Sequence, residues 1–165
     1  MAKVLYIDYQ RCTGCRTCEQ VCAVKHDGVL NPIRSRIKIM KWEAEGLYVP
    51  ISCQQCQDAP CMNVCPVKAI SRNEELGRVE VNYDVCIGCR SCVVVCPFGA
   101  MSFNPIDRQV FKCDLCDGDP QCVRFCDVGA IQYINAEEVA LDKKRHAAER
   151  LSMAGKDSVA LLAQM

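Results

Sequence analysis

Cys86-Ile-Gly-Cys89-Arg-Ser-Cys92-Val-Val-Val-Cys96-Pro97 sets four thiols at spacings of two, two and three residues, with a proline behind them. A C-x2-C-x2-C-x3-C-P run holds a [4Fe–4S] cluster. The first three thiolates close round one cube, while the fourth, on a short following helix, reaches a different one. Pro97 stops that helix and turns the chain away. Zinc sites use separated C-x-x-C pairs instead.

The pattern recurs through the chain. All sixteen cysteines among 165 residues fall into four quartets: Cys12, Cys15, Cys18 and Cys22; Cys53, Cys56, Cys61 and Cys65; Cys86, Cys89, Cys92 and Cys96; Cys113, Cys116, Cys122 and Cys126. None is left over, so the expected cofactors are four [4Fe–4S] clusters with complete thiolate ligation. The second and fourth quartets are stretched by Gln57-Asp-Ala-Pro60 and Asp117-Gly-Asp-Pro-Gln121, whose Asp, Gly and Pro residues make turns. These read as surface loops, with a partner-facing or cluster-shielding role as the alternative. The repeat extends beyond the ligands. Leu5-Tyr-Ile-Asp-Tyr9 and Val79-Glu-Val-Asn-Tyr83 alternate as half-buried strands do, and Ala69-Ile70, Ala100-Met101 and Ala130-Ile131 each follow a fourth cysteine and open a further strand.

Residues 23–52 interrupt the repeat. Arg36–Trp42 and Leu47–Ile51 alternate around Glu43-Ala-Glu-Gly46, which predicts a hairpin over about 33–52. Trp42 reads as packing rather than as an electron relay. Arg34, Arg36, Lys38 and Lys41 read as a solvated strand face, or as a docking face for an acidic partner. From Asn135 the cysteines stop. Asn135 and Glu138 predict a capping box for a helix through about Met153, ended by Gly155 and followed by the apolar tip Val159–Ala163. This tail reads as a docking arm, with packing back on the body as the alternative. His26 reads as structural or close behind a ligand, and His146 as solvated.

Composition narrows the class. Cysteine at this density marks a disulfide scaffold or a metal protein. Residues 1–8 carry no apolar secretory core and no twin arginine, and no stretch reaches the length of a membrane span. The expected location is therefore the cytoplasm, with export beside a signal-bearing partner as the alternative. Lys plus Arg equals Asp plus Glu at 20 each, which leaves no basic field for nucleic acid. No nucleophile–base pair and no phosphate-binding glycine loop appears, so the chain is not expected to be an enzyme by itself.

If fourth cysteines are exchanged between partner quartets, two schemes fit. Sequential pairing joins the first quartet with the second and the third with the fourth. Nested pairing joins the first with the fourth and the second with the third. The Cys65-Pro66 and Cys96-Pro97 ends favour nesting, since the first and fourth quartets lack that proline.

Over residues 3–134, the four quartets and the insertion after the first resemble the four-cluster, ferredoxin-type electron-transfer subunits of dimethyl-sulfoxide-reductase-like, formate dehydrogenase and hydrogenase complexes. The resemblance implies an α+β fold. Two nested bacterial-ferredoxin-like modules of short strands and helices would occupy residues 1–134, and a C-terminal helical arm residues 135–165. It also implies nested ligation: Cys12, Cys15, Cys18 with Cys126; Cys113, Cys116, Cys122 with Cys22; Cys53, Cys56, Cys61 with Cys96; Cys86, Cys89, Cys92 with Cys65. The chain lacks the longer insertions and membrane anchor of larger members. It is closer to the small cytoplasmic subunits of carbon monoxide dehydrogenase, hydrogenase and tungsten aldehyde oxidoreductase systems, the last being the expected one.

The expected function is electron transfer within a larger oxidoreductase. Its partners would be a catalytic subunit (a tungsten or molybdenum pterin enzyme, hydrogenase or carbon monoxide dehydrogenase) and a ferredoxin or flavoprotein. The rivals are a free-standing polyferredoxin and a head-to-tail self-assembling conductor. Without its cysteines the chain is only about 40% apolar, a thin core. Iron-free protein is therefore expected to lose its fold, and circular dichroism unchanged by iron removal would refute this.

Overall fold

The computed structural model describes residues 3–148 apart from 142 and 146. It is an α+β chain of four antiparallel two-stranded sheets and short helices. Strand β1 (Lys3–Ile7) leads to helix α1 (Thr17–Asp27), and β2 (Lys38–Trp42) and β3 (Leu47–Ile51) form the insertion. Then come α2 (Pro60–Asn63), β4 (Ile70–Asn73), β5 (Arg78–Val81), α3 (Ser91–Val95), β6 (Ser102–Asn104), β7 (Gln109–Phe111), α4 (Gln121–Arg124) and β8 (Ile131–Asn135). β1 pairs with β8, so the first and last strands meet, with Lys3 opposite Asn135 and Ile7 opposite Ile131. The other sheets are hairpins of neighbouring strands.

The hairpins use repeated turn chemistry. Asn73 Oδ1 accepts from Glu75 N and Leu76 N, and Asn104 Oδ1 accepts from Ile106 N. An Asn side chain that mimics a backbone acceptor is a standard turn starter. After each of three fourth cysteines the chain turns back by one device. Lys68 N, Gly99 N and Gly129 N donate to the carbonyls of Cys65, Cys96 and Cys126, and all three residues have positive φ. Cys22 departs from this because it lies inside α1, which runs on to a left-handed Gly28 whose N–H caps Val24 O. That extra turn of helix is where the insertion begins.

Two sets of side chains are buried. One joins Cys18, Cys22, Ile37, Ile39, Cys122 and Ile131 from the chain ends and the insertion. The other joins Ala59, Ile70, Val79, Cys92, Met101 and Val110 from the middle. Thiols make up half of the first; in the second only Cys92 is fully buried, with Cys56, Cys61, Cys65, Cys86 and Cys96 partly buried against it. α1 turns Cys18, Glu19, Cys22 and Ala23 inward, one helical face at i, i+1, i+4 and i+5.

The insertion is the expected hairpin, but its cations are not a solvated face. Arg36 donates to Asp114 Oδ2 at 2.6 Å, and Lys38 Nζ donates to the carbonyls of Pro32 and Ile33. Arg34 lies 4.0 Å from Asp27, and Lys41 lies 3.6 Å from Glu43. The strand's own geometry brings the longer side chains back over the body, where backbone oxygens and a carboxylate need donors. Trp42 is half exposed at the end of the hairpin.

Residues 136–141 are helical, and Asn135 Nδ2 donates to Glu138 Oε1 at 2.9 Å. Asn135 thus meets Glu138 side chain to side chain, while its backbone still belongs to β8. The expected helix end near Met153 and Gly155, the tip Val159–Ala163 and His146 lie outside the described residues.

Glu19 is only 4% exposed, and its Oε1 accepts the Ile39 N–H at 2.6 Å. Glu19→Ala orphans that buried donor, and a buried unpaired amide costs about 1–3 kcal/mol. The holoprotein should melt earlier by a corresponding margin in a thermal scan, with Glu19→Gln falling between variant and wild type.

Candidate electron-transfer site

The structure gathers twelve of the thiols around three small cavities, each drawn from two stretches of chain, and leaves four as a remaining group. Cys65 joins Cys86, Cys89 and Cys92 around one small cavity walled by Ile70 and Val110. Cys96 joins Cys53, Cys56 and Cys61 around another, beneath Ala59 and Val79. Cys126 joins Cys12, Cys15 and Cys18 around a third, beside Ile39 and Ile131. The fourth group is Cys22, Cys113, Cys116 and Cys122. Burial raises the Cys122 thiol, and the charges of Cys113, Cys22 and Cys116 raise it further. Cys116 is raised by burial above all and also responds to Cys22. All sixteen cysteines are free of disulfides.

The C-x-x-C turns explain how three thiols converge. In each, the residue before the second cysteine has positive φ: Gly14 (69°), Gln55 (50°), Gly88 (66°) and Leu115 (59°). A left-handed residue curls the chain so that both thiols face one point. At Gly14 and Gly88 a side chain would also collide. A Cβ at Gly14 would lie 2.6 Å from the Tyr48 ring, and at Gly88 2.3 Å from the Arg108 carbonyl oxygen. Close approach therefore reinforces the conformational reason for glycine.

Backbone amides reach the sulfurs at several points. Arg36 N donates to Cys22 Sγ at 3.2 Å, Ala69 N to Cys65 Sγ at 3.2 Å, and Leu115 N to Cys113 Sγ at 3.4 Å. Hydroxyls act on the two exposed thiols. Ser91 Oγ lies 3.5 Å from Cys89 Sγ, and hydrogen bonding by Ser91 holds that thiol below its ordinary value, as Thr17 does for Cys15. Deeper thiols move the other way. Burial pushes Cys18 and Cys113 up to about 12 and Cys92 to about 11.

His26 sits at the fourth group. Its Nε2 is 3.6 Å from Cys116 Sγ and 3.5 Å from Asp114 Oδ1. Burial first, and then the Arg36 charge, hold His26 below its usual value. Burial raises the Asp114 carboxyl, but Arg36 and His26 outweigh it and leave it low. The result is a neutral imidazole beside a carboxylate already neutralised by Arg36. It braces the group from behind, as expected of His26.

Two residues were invisible to the sequence reading. Gln55 and Lys112 stand at the meeting of the second and fourth quartets, tied by hydrogen bonds to each other and to Cys113 O. The available signal was positional. Gln55 and Leu115 occupy the place that glycine holds in the other two C-x-x-C turns.

The donor set suits an iron–sulfur cluster: four soft thiols per group, few competing ligands and amides aimed at sulfur. Comparisons with known proteins agree. Residues 44–136 match the 4Fe-4S dicluster domain family, and residues 12–25 match a 4Fe-4S binding domain. YsaA of Escherichia coli (strain K12), named for electron transport, is 43% identical over 127 residues, covering 70% of this chain and 76% of its own. The polyferredoxin-like subunit of an aliphatic sulfonate oxidoreductase from Pyrococcus furiosus is 42% identical over 112 residues, 67% of this chain and 64% of its own. The B subunit of the anaerobic dimethyl sulfoxide reductase of Escherichia coli (strain K12) is 39% identical over 123 residues, 66% and 58%. The protein thus spans less than two thirds of the length of the last two. Among solved structures, a subunit of the active site complex BamBC of benzoyl coenzyme A reductase with zinc superposes with a TM-score of 0.50. It is 29% identical over 99% of this chain and 98% of that one.

Raised thiols fix the direction of the pH dependence. Well below 11–12 the buried Cys18, Cys92 and Cys113 are protonated in the absence of metal. Only thiolate binds iron, so cluster insertion must expel protons, and falling pH favours the metal-free thiols. Reconstitution at pH 7 in a pH-stat should release about one proton per cysteine beyond those given up by the hydrosulfide that supplies the inorganic sulfide. Cluster absorbance should be retained at pH 8 and bleach on acidification.

Proposed function

Because the protein belongs to the iron–sulfur electron-transfer subunit family that carries 4Fe-4S dicluster domains, we propose that it relays electrons through four [4Fe–4S] clusters beside a catalytic oxidoreductase subunit. The supporting observation is the gathering of twelve thiols around three cavities, four to each, which leaves Cys22, Cys113, Cys116 and Cys122 for a fourth site. Ligation follows these groups: Cys12, Cys15, Cys18 and Cys126; Cys113, Cys116, Cys122 and Cys22; Cys53, Cys56, Cys61 and Cys96; Cys86, Cys89, Cys92 and Cys65. The first two belong to one module, built from the chain ends and the insertion. The last two belong to the other.

Each bound cluster accepts and gives up one electron. The chain's own work is to fix the four positions, keep water from the buried thiols and direct N–H and O–H groups at the sulfurs. Cys15 and Cys89 are the exposed ligands of their groups, which makes these two groups the natural points of entry and exit. The partner is a catalytic subunit, as the names of the sulfonate oxidoreductase and dimethyl sulfoxide reductase relatives suggest. Within that class we favour a tungsten or molybdenum pterin enzyme, such as an aldehyde oxidoreductase. Among the described residues no helix is long and apolar enough to cross a membrane.

Elemental analysis of tagged protein, purified anaerobically with its partners, should give roughly sixteen irons per chain together with tungsten or molybdenum. Nickel would redirect the partner to hydrogenase or carbon monoxide dehydrogenase. Iron alone with a single polypeptide would leave a free carrier. Nested ligation has its own test: Cys96→Ser and Cys61→Ser should alter the same paramagnetic signal, and Cys89→Ser a different one.

A further inference from the structure

Lys112 is the buried cation of the described residues, 3% exposed. It follows β7 and immediately precedes Cys113. Its Nζ donates to the Val79 carbonyl, to the Cys113 carbonyl at 2.8 Å and to Gln55 Oε1 at 3.2 Å. No carboxylate pairs with it among the described residues. Gln55 braces this arrangement from the facing quartet. Its Oε1 also accepts the Val79 N–H at 2.8 Å, and its Nε2 donates to Cys113 O at 2.8 Å.

A buried ammonium without a counter-charge is expensive, and three dipoles offset only part of the cost. Thiolate-ligated metal in the groups on either side would supply the rest. Lys112 Nζ is hydrogen-bonded to Gln55, the residue before Cys56, and to the carbonyl of Cys113. These two cysteines belong to different groups, one in each module. The cation therefore stands where an electron passing between modules must cross.

We propose that Lys112, held by Gln55, is a positioning residue for the inter-module step: its fixed charge raises the reduction potentials of the two groups it separates. These are the group of Cys53, Cys56, Cys61 and Cys96 and the group of Cys113, Cys116, Cys122 and Cys22. The inference rests on the ligation proposed above. In the step itself one electron leaves one group, which is oxidised, and reduces the other. No bond is made or broken and no proton moves. The catalytic subunit and a one-electron carrier supply and remove that electron at the ends.

A positive charge stabilises the more negative, reduced state of a neighbour, so its loss must lower the potential. Anaerobic redox titration of the holoprotein, followed by electron paramagnetic resonance, reads this directly. In Lys112→Met, which keeps an unbranched side chain but no charge, two of the four reduction steps should shift to lower potential while the other two stay. Gln55→Glu leaves the lysine in place and sets a carboxylate against its ammonium. It should lower the same two steps, and it decides the matter alone if Lys112→Met fails to retain iron. Steps unchanged in the variants that hold their iron would overturn the proposal, as would all four moving together. Wild-type protein with fewer than about sixteen irons would refute the four-group reading itself. Full iron with unmoved potentials would refute only the role of Lys112.

Discussion

Burying thiols is the constraint on which everything else in this chain depends. A thiol removed from water resists ionisation, and here burial carries Cys18 and Cys113 to about 12. Such groups contribute as small apolar side chains until a metal replaces their protons. They occupy core positions that leucine or isoleucine would fill elsewhere, beside Ile37, Ile39, Ile70 and Val79. Folding and cofactor binding are therefore expected to be one event. The short strands and four-residue helices are too small to be stable alone.

Once thiols form the core, chain geometry is dictated by how they converge. Three come from one local run and the fourth from a run far along the sequence, so every group ties two segments together. The β1–β8 pair has the same effect at the chain ends. This is why the cysteine spacing revealed so much. The quartets announced where the thiols lie, and the alternating stretches announced the strands beside them. The hairpin was legible too, since Glu43-Ala-Glu-Gly46 separates two alternating runs and Gly46 takes the left-handed turn.

What could not be read lies where side chains meet across long separations. Arg36 looked like one cation on a solvated strand. Its partner Asp114 is 78 residues away, inside the fourth quartet, and only the fold brings them to 2.6 Å. Lys112 drew no notice in the sequence, yet it is buried among oxygens supplied by residues 55, 79 and 113. Amphipathic alternation reports which face of a strand is wet on average. It does not report that a particular cation has been enclosed by a distant loop.

The two C-x-x-C turns without glycine show why such enclosure is stable. A non-glycine residue in the left-handed region costs about 1–2 kcal/mol, so Gln55 and Leu115 need a return that glycine could not provide. Gln55 obtains it by joining Val79 N, Cys113 O and the Lys112 ammonium, each hydrogen bond contributing about 0.5–1.5 kcal/mol. Leu115 obtains it by near-complete burial, at about 1.5–3 kcal/mol for a side chain of its size. Both turns belong to the quartets that face each other at the junction of the two buried sets. Gly14 and Gly88 belong to the quartets holding the exposed Cys15 and Cys89. The repeat keeps glycine where the backbone must be approached closely and abandons it where a side chain has to reach across. That exchange fixes the two halves of the relay against each other at the point where a buried charge can act on both.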